Sequence, residues 1–241
     1  MKIIPVVHIH DNNIYEAVRE STRSLNTGAD GIYLTDRQNG VKDTKPLFEV
    51  YSDILDDFED RYIGLNISGM TPLNAMRAMA RALSRVDKLP QSNTGLWVDD
   101  MRGDLLNKFA ALEYRDSNAK LQNVRLLGGI AFKNTKTFSE NPDMVRYETL
   151  WLKDTVDVIL TSGATIDREP TIEKLRAIKE IAPEKPLAVI GKISIDNIDK
   201  FEDIVDEALV FSTIETSPGS KKIDQEKLKY LLDIAHKNKN Q

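Results

Sequence analysis

The chain has 241 residues, of which 41% are hydrophobic, with a formal net charge of −5 and no cysteine. This acidic balance provides no basic face for a phosphate backbone, so nucleic acid is not an expected partner. The lack of cysteine excludes disulfides, thiol catalysis and thiolate metal sites, and no apolar run reaches the roughly eighteen residues of a membrane span.

Eight short apolar runs follow one another: Ile3–Ile9, Gly31–Thr35, Ile63–Ile67, Gly95–Val98, Val124–Phe132, Val156–Thr161, Leu187–Ile190 and Ala208–Phe211. In the first, Ile4, Val6, His8 and His10 alternate with Ile3, Pro5, Val7 and Ile9. Both faces begin apolar, as in a strand covered on both sides. Only the histidine face ends polar, so it is assigned to the inside and mouth of a barrel. The amino-terminal run leads straight into the repeat and lacks a small-residue cleavage site, so it reads as a strand and not as a signal peptide. A helix is expected from about Asn13 to Asn26, with Asp11 and Asn12 as cap candidates and Gly28 as its left-handed stop. The second strand ends in Thr35-Asp36-Arg37 and the third in Ser68-Gly69. Thr71 and Pro72 then open a helix as cap and first residue, and Ala75, Met76, Met79, Ala80 and Leu83 form its buried stripe. Strand four ends in Asp99-Asp100. Strand five contains Gly128 and Gly129 and is followed by Lys133 and a polar loop to about Asn141. Strand six ends in Thr161-Ser162-Gly163, and Pro170 marks the next helix start. Strand seven ends in Gly191-Lys192, before a short helical segment Ile195–Ile198 capped by Ser194. Strand eight ends in Ser212-Thr213, and a helix from about Asp224 to Lys237 closes the chain.

Strand-then-helix repeated through this length predicts an α/β fold, a (β/α)8 TIM barrel forming one domain over residues 1–241. In such a barrel the chemistry sits at the C-terminal strand ends. The candidate mouth residues are therefore His8, His10, Asp11, Asp36, Arg37, Asn66, Ser68, Asp99, Asp100, Lys133, Ser162, Lys192, Ser212 and Thr213, with Gly163, Gly191 and Ser194 as further ligand-binding candidates in the turns. Strand ends are polar in any case, so solvation alone would also account for many of them.

His8 and His10 invite a metal reading, as in barrels whose metal site begins with two histidines on the first strand. The third histidine, His236, falls in the last helix, so only a mononuclear site with a carboxylate such as Asp36 or Asp99 is open. Proton transfer, or donation to an anion, is the other role for imidazole here. Of Asp99 and Asp100 only one can point inward. Asp99, on the Gly95/Trp97 face, is preferred as a general base, and Asp100 is left to cap the turn near Gly103. The turns after strands seven and eight are where many barrels bind phosphate through backbone N–H groups. Here they carry one glycine where a cradle would hold two or three, and Lys192 could supply charge or block the pocket. Ser162 reads as a turn residue bonding its own backbone. There is no Walker loop, no Gly-x-Gly-x-x-Gly and no Gly-x-Ser-x-Gly elbow.

Several ordered phrases carry a resemblance: Pro5-Val6-Val7-His8-Ile9-His10-Asp11, Gly28-Ala29-Asp30-Gly31-Ile32, Ile63-Gly64-Leu65-Asn66, Gly95-Leu96-Trp97-Val98-Asp99, Gly128-Gly129-Ile130-Ala131-Phe132-Lys133 and Asp157 to Gly163. Over nearly its whole length the chain resembles the BtpA/SgcQ family, named for a photosystem I biogenesis factor. That family is assigned to the phosphate-binding TIM-barrel group. The resemblance implies the barrel and adds weight to His8, Asp99, Lys133 and Ser162 as mouth residues. Family members usually carry a Ser-Gly-like turn after strand seven and a glycine-bearing turn after strand eight. Gly191-Lys192 and Ser212-Thr213 depart from both.

Three functions stay open at this point. One is an enzyme acting on a small phosphorylated or nucleoside-like metabolite by acid–base chemistry, as a lyase, isomerase or hydrolase. The second is a non-catalytic ligand-binding or assembly protein, and the third a mononuclear metal-dependent hydrolase. A small-molecule ligand is the expected partner, and homo-oligomer formation through outer helices or loops is open, although no sequence stripe identifies a contact. No cofactor is required by the sequence, and the default location is cytoplasmic.

Overall fold

The computed structural model describes residues 1–36, 43–86, 94–101, 105–133, 139–165 and 168–237. Arg37, the turn at Gly103 and the central part of the loop after Lys133 lie outside the described residues. Eight parallel strands pair in chain order: β1 Lys2–His8, β2 Gly31–Thr35, β3 Tyr62–Asn66, β4 Thr94–Val98, β5 Val124–Gly129, β6 Val158–Ser162, β7 Leu187–Ile190 and β8 Glu207–Val210. β8 also pairs with β1, Ile4 opposite Leu209, so the sheet closes on itself. Around it lie α1 Ile14–Asn26, α2 Lys45–Asp57, α3 Pro72–Leu83, α4 Leu105–Ser117, α5 Pro142–Leu152, α6 Ile172–Ile181 and α7 Gln225–Lys237.

The barrel is an α/β TIM barrel, as expected, but its seventh crossover contains no α-helix. The helical segment expected at Ile195–Ile198 is a turn followed by a 3₁₀ helix, Ile198–Lys200. The cause is Asn197. Its side chain accepts the Ser194 N–H at 2.8 Å and donates to the Lys192 carbonyl at 2.7 Å, giving the local backbone an alternative to the helix ladder. Other boundaries move for local reasons. Asp11 and Asn12 sit at φ +50° and +55°, so they form the turn, and Asn13 caps α1 by accepting the Glu16 N–H at 3.0 Å. Thr171 caps α6 through the Lys174 N–H, which leaves Pro170 outside the helix. Thr71 holds the cap position of α3 without a side-chain bond. β5 stops at Gly129 instead of Phe132, because Ala131 turns the chain at φ +46°.

Alternation divides each strand between two cores. Ile4, Val6, Tyr33, Trp97, Leu127, Val158, Leu160, Ala188 and Leu209 pack inside the barrel. Ile3, Val7, Leu34, Ile63, Leu96, Leu126, Ile159 and Leu187 pack outward under the helices. Inside, Gly64 and Gly95 leave space for two tyrosine rings; a Cβ at either position would run into Tyr33, and at Gly95 into Tyr62 as well. The two tyrosine hydroxyls meet at 2.6 Å. At the N-terminal end of the barrel, Glu207 is 1% exposed and pairs with Arg125, with Lys2 at 3.7 Å. This ion cluster floors the barrel, so the interior opens toward the opposite rim.

Outside, α5 departs from the usual polar surface. Met144, Tyr147, Leu150 and Trp151 form one apolar arc facing solvent, each about half exposed or more. No helix of the described residues is long and apolar enough to cross a membrane.

Removing one partner of a buried ion pair leaves the other charge uncompensated. Glu207→Ala is therefore expected to cost about 3 kcal/mol in a urea titration. A loss below about 1 kcal/mol would show that water reaches Arg125 freely.

Candidate functional site

At the C-terminal rim a cavity of about 470 Å³ opens. Val6, Trp97, Ile190, Leu209 and Phe211 give it apolar walls. His8, His10, Lys133, Gly191, Lys192 and Ser212 line it from four strand ends. Its remaining wall is a hairpin inserted between β8 and α7. There Glu215 bridges Ile223, and the Thr216 N–H donates to the Lys222 carbonyl at 2.9 Å. The hairpin brings Glu215, Pro218, Gly219 and Lys221 to the cavity. It is fastened at its base: the Ile223 N–H donates to Glu20 at 2.9 Å, and the Lys227 ammonium to the Glu215 carbonyl at 2.6 Å.

The two histidines share the inward face of the first strand and its extension. Their rings stack at 5.5 Å with 10° between planes, and Phe211 lies 4.2 Å from His8. Both ring nitrogens of His10 are buried and have no hydrogen-bond partner among the described residues. Burial holds its pKa below the usual 6.5, and the nearby Lys221 charge pushes the same way against Asp11, Asp36 and Glu215. The buried indole N–H of Trp97 also lacks a partner among the described residues.

Asp99 lies on the Trp97 face of β4, the inward one, but a row of hydrogen bonds separates it from the cavity. The Thr35 hydroxyl, which does line the cavity, donates to Asn66 Oδ1 at 2.9 Å. Asn66 donates to the Trp97 carbonyl at 3.2 Å and reaches Asp99 Oδ1 at 3.4 Å. Asn66 and Asp36 are buried. Neither they nor Asp99 are among the lining residues.

Lys133 is placed by a network that includes two residues the sequence reading missed. Its backbone N–H donates to Ser162 Oγ at 2.8 Å. That hydroxyl also donates to the Gly163 carbonyl at 3.1 Å, so Ser162 is fully buried and serves the backbone. Gly163 packs so closely on the Arg168 carbonyl that a Cβ would collide with it. The strained Ala131 is held from both sides. Glu148 on α5 accepts its N–H at 2.9 Å, and the fully buried Lys174 on α6 donates to its carbonyl at 2.6 Å and to the Ser162 carbonyl at 2.7 Å.

In the turns after β7 and β8 two of the candidate side chains are used internally. Ser194 accepts the Asp196 N–H at 3.3 Å, and Thr213 donates to the Ile193 carbonyl at 2.6 Å, so both tie the turns together. Of these residues Gly191, Lys192 and Ser212 reach the cavity; Ser194 and Thr213 do not. Only a three-residue 3₁₀ turn, Ser212–Ile214, follows β8. Among the described residues no three His, Asp or Glu side chains are grouped to hold a metal ion. His236 lies outside the barrel, 2.9 Å from Asp30.

No family model matches the chain, and no curated protein does. Solved structures do. Phosphoribosylanthranilate isomerase from Thermotoga maritima is 13% identical, with a TM-score of 0.63 over 98% of this chain and 99% of that one. A tryptophan synthase α-subunit from Pyrococcus furiosus is 15% identical, with a TM-score of 0.66 over 96% and 97%. A phosphoribosylanthranilate isomerase solved with reduced 1-(o-carboxyphenylamino)-1-deoxyribulose 5-phosphate is 13% identical, with a TM-score of 0.60 over 98% and 99%. At these identities the likeness shows a shared fold, the TIM barrel.

Burial pushes the Lys174 pKa from 10.5 down to about 8. The folded protein therefore binds fewer protons here than the unfolded chain between about pH 8 and 10, and stability rises with pH across that window. Lys174→Met, which strands two buried carbonyls, is expected to cost about 2 kcal/mol at pH 7. The gap should widen by up to about 3 kcal/mol toward pH 10. A pH-independent gap in denaturant titrations would contradict a buried ammonium.

Proposed function

We propose that this protein is an enzyme that binds a small anionic metabolite, phosphorylated or nucleoside-like, in the mouth cavity and acts on it by acid–base chemistry. The observation that carries this reading is the imbalance of hydrogen-bonding capacity in the lining. The one carboxylate there, Glu215, accepts the Gly219 and Lys221 N–H groups, at 3.2 Å and 2.7 Å, one on each oxygen. The Thr35 hydroxyl proton is committed to Asn66. Left uncommitted among the described residues are the Trp97 N–H, the His10 ring and the ammonium groups of Lys192 and Lys221. A cavity rich in donors and poor in acceptors selects a ligand rich in acceptors.

In this reading His8 and His10 are the proton-transfer groups, since both line the cavity and His10 is held neutral near pH 7. Asp99 acts from behind Asn66, fixing that amide and through it the Thr35 hydroxyl. Lys133, Lys192 and Ser212 contact the ligand. Asp36, Ser162, Gly163, Ser194 and Thr213 shape the rim that holds them. The fold likeness to enzymes solved with or named for phosphorylated compounds supports a phosphorylated ligand, as does the resemblance to the BtpA/SgcQ family, in which we place the chain. A second reading, ligand binding without catalysis, is favoured by one observation: the carboxylate best suited as base does not reach the cavity.

A thermal-shift screen tests the site. Phosphomonoesters and nucleotides should raise the melting temperature, by about 2.7 kcal/mol of added stability at a hundred times Kd. Their neutral parent alcohols should not. No stabilisation by any anion would remove the reading. His10→Ala that keeps the stabilisation but loses turnover supports the enzyme; turnover unchanged in both His8→Ala and His10→Ala would exclude histidine catalysis.

A further inference from the structure

The turn at the tip of the hairpin has the geometry expected of its sequence, apart from one residue. Ser217 to Ser220 close a tight turn with Pro218 second and Gly219 third at φ +77°, and the Ser220 N–H donates to the Ser217 carbonyl at 2.9 Å. Glycine thus already fills the position that requires a left-handed backbone. The chain then places Lys221, a residue with a Cβ, at φ +61°. Glycine or asparagine would sit there with less strain. Left-handed non-glycine residues persist where the surroundings impose them, and they gather at binding sites. Here the surroundings are identifiable: the Lys221 N–H is drawn to Glu215 Oε1, and this turns the side chain to the mouth, where it lines the cavity beside His10. Its ammonium makes no hydrogen bond or ion pair with a described residue. The next residue, Lys222, differs on both counts. It pairs with Glu16 at 3.8 Å and does not line the mouth cavity.

The turn after β7 brings a second lysine to the same cavity, Lys192, also without an ion-pair partner among the described residues and next to one glycine where a phosphate cradle would hold two or three. We propose that Lys221 of the hairpin and Lys192 of the β7 turn hold the phosphate of a phosphomonoester, in place of the backbone cradle used by other barrels, while the ester's apolar body lies on Trp97, Leu209 and Phe211. This rests on the reading of the mouth as an anion site and adds the group that is bound, where it is bound and what it is attached to. Two ammonium groups are point charges without the flat fork of arginine, so they suit a phosphate better than they select a planar carboxylate. The apolar wall argues against a bare sugar phosphate as the best ligand. A cavity of about 470 Å³ also has room for more than an inorganic ion.

The test is calorimetric titration of the full chain at pH 7.5 with inorganic phosphate and with phenyl phosphate, on wild type, Lys221→Gly, Lys192→Met and Lys222→Ala. Phenyl phosphate should bind wild type at least tenfold more tightly than inorganic phosphate. Lys221→Gly and Lys192→Met should each weaken phenyl phosphate at least tenfold, while Lys222→Ala, which removes the same charge from the same hairpin, should change it less than twofold. Lys221→Gly should also melt no lower than wild type, since it relieves the left-handed lysine; a lower melting point with unchanged affinity would assign Lys221 a structural role and overturn the proposal. Equal weakening by Lys222→Ala would reduce the effect to net charge and overturn it too. If wild type binds phosphate and Lys221→Gly binds it equally, the proposal fails while the anion site stands. If wild type binds neither probe nor any phosphorylated compound in the thermal screen, the anion site itself fails.

Discussion

The mouth of this protein depends on the closed parallel register of its strands. His8 lies opposite Thr35, Thr35 opposite Asn66 and Asn66 opposite Trp97. Residues far apart in the chain become one row because each neighbouring strand repeats the same alternation. A slip of one residue in β1 would turn both histidines outward beneath α1 and leave the cavity without imidazole. The Glu207–Arg125 pair closes the other end, and the tyrosine pair above it fills the lower interior. The cavity thereby lies at the C-terminal rim.

The rim is held by buried charged groups whose hydrogen bonds go to backbone. α5 and α6 project Glu148 and Lys174 inward to grip one strained residue, Ala131, two positions before Lys133. Glu215 does the same for the hairpin that carries Lys221. In both places a buried charged side chain satisfies backbone groups that a turn would otherwise leave unpaired, and the lysine that reaches the cavity follows within a few residues. The arrangement separates tasks. Acidic side chains organise backbone, and the surfaces offered to a ligand are donors.

The barrel was legible because apolar runs and helical spacing repeat without interruption, and both signals are local. The inward face of β1 followed from simple alternation, and His8 and His10 do line the cavity. For β4 alternation left two faces open, and only the packing of Trp97 inside the barrel distinguishes them. Alternation could not show that Asn66 stands between Asp99 and the cavity, because that depends on rotamers and register across three strands. Ser194 and Thr213 have the composition of anion ligands, yet their hydroxyls are used within the turns. The short helical segment expected after β7 was misread because the decisive competitor, the Asn197 side chain, acts through its amide and not through propensity. Lys174 looked like one more lysine on an amphipathic helix. Only the packing of α6 under β5 and β6 makes it a buried link. Lys221 sits in a polar, glycine-bearing stretch between the last strand and helix, where nothing in the composition indicates that the segment folds back over the mouth. The apolar arc of α5 was present in the sequence at helical spacing, but the barrel had to be built before its outward direction was evident.

The central claim is that the mouth histidines, with ammonium and indole donors around them and the carboxylate of Glu215 engaged by backbone, face a site for an anion. Imidazole NMR tests it directly, since the chain has three histidines and one of them, His236, lies outside the barrel against Asp30. Saturating phenyl phosphate is predicted to shift the His8 and His10 resonances and to raise the titration midpoint of His10 from its depressed value, leaving His236 in place. Mouth histidines that titrate identically with and without the ligand, under conditions where it binds, would contradict the account.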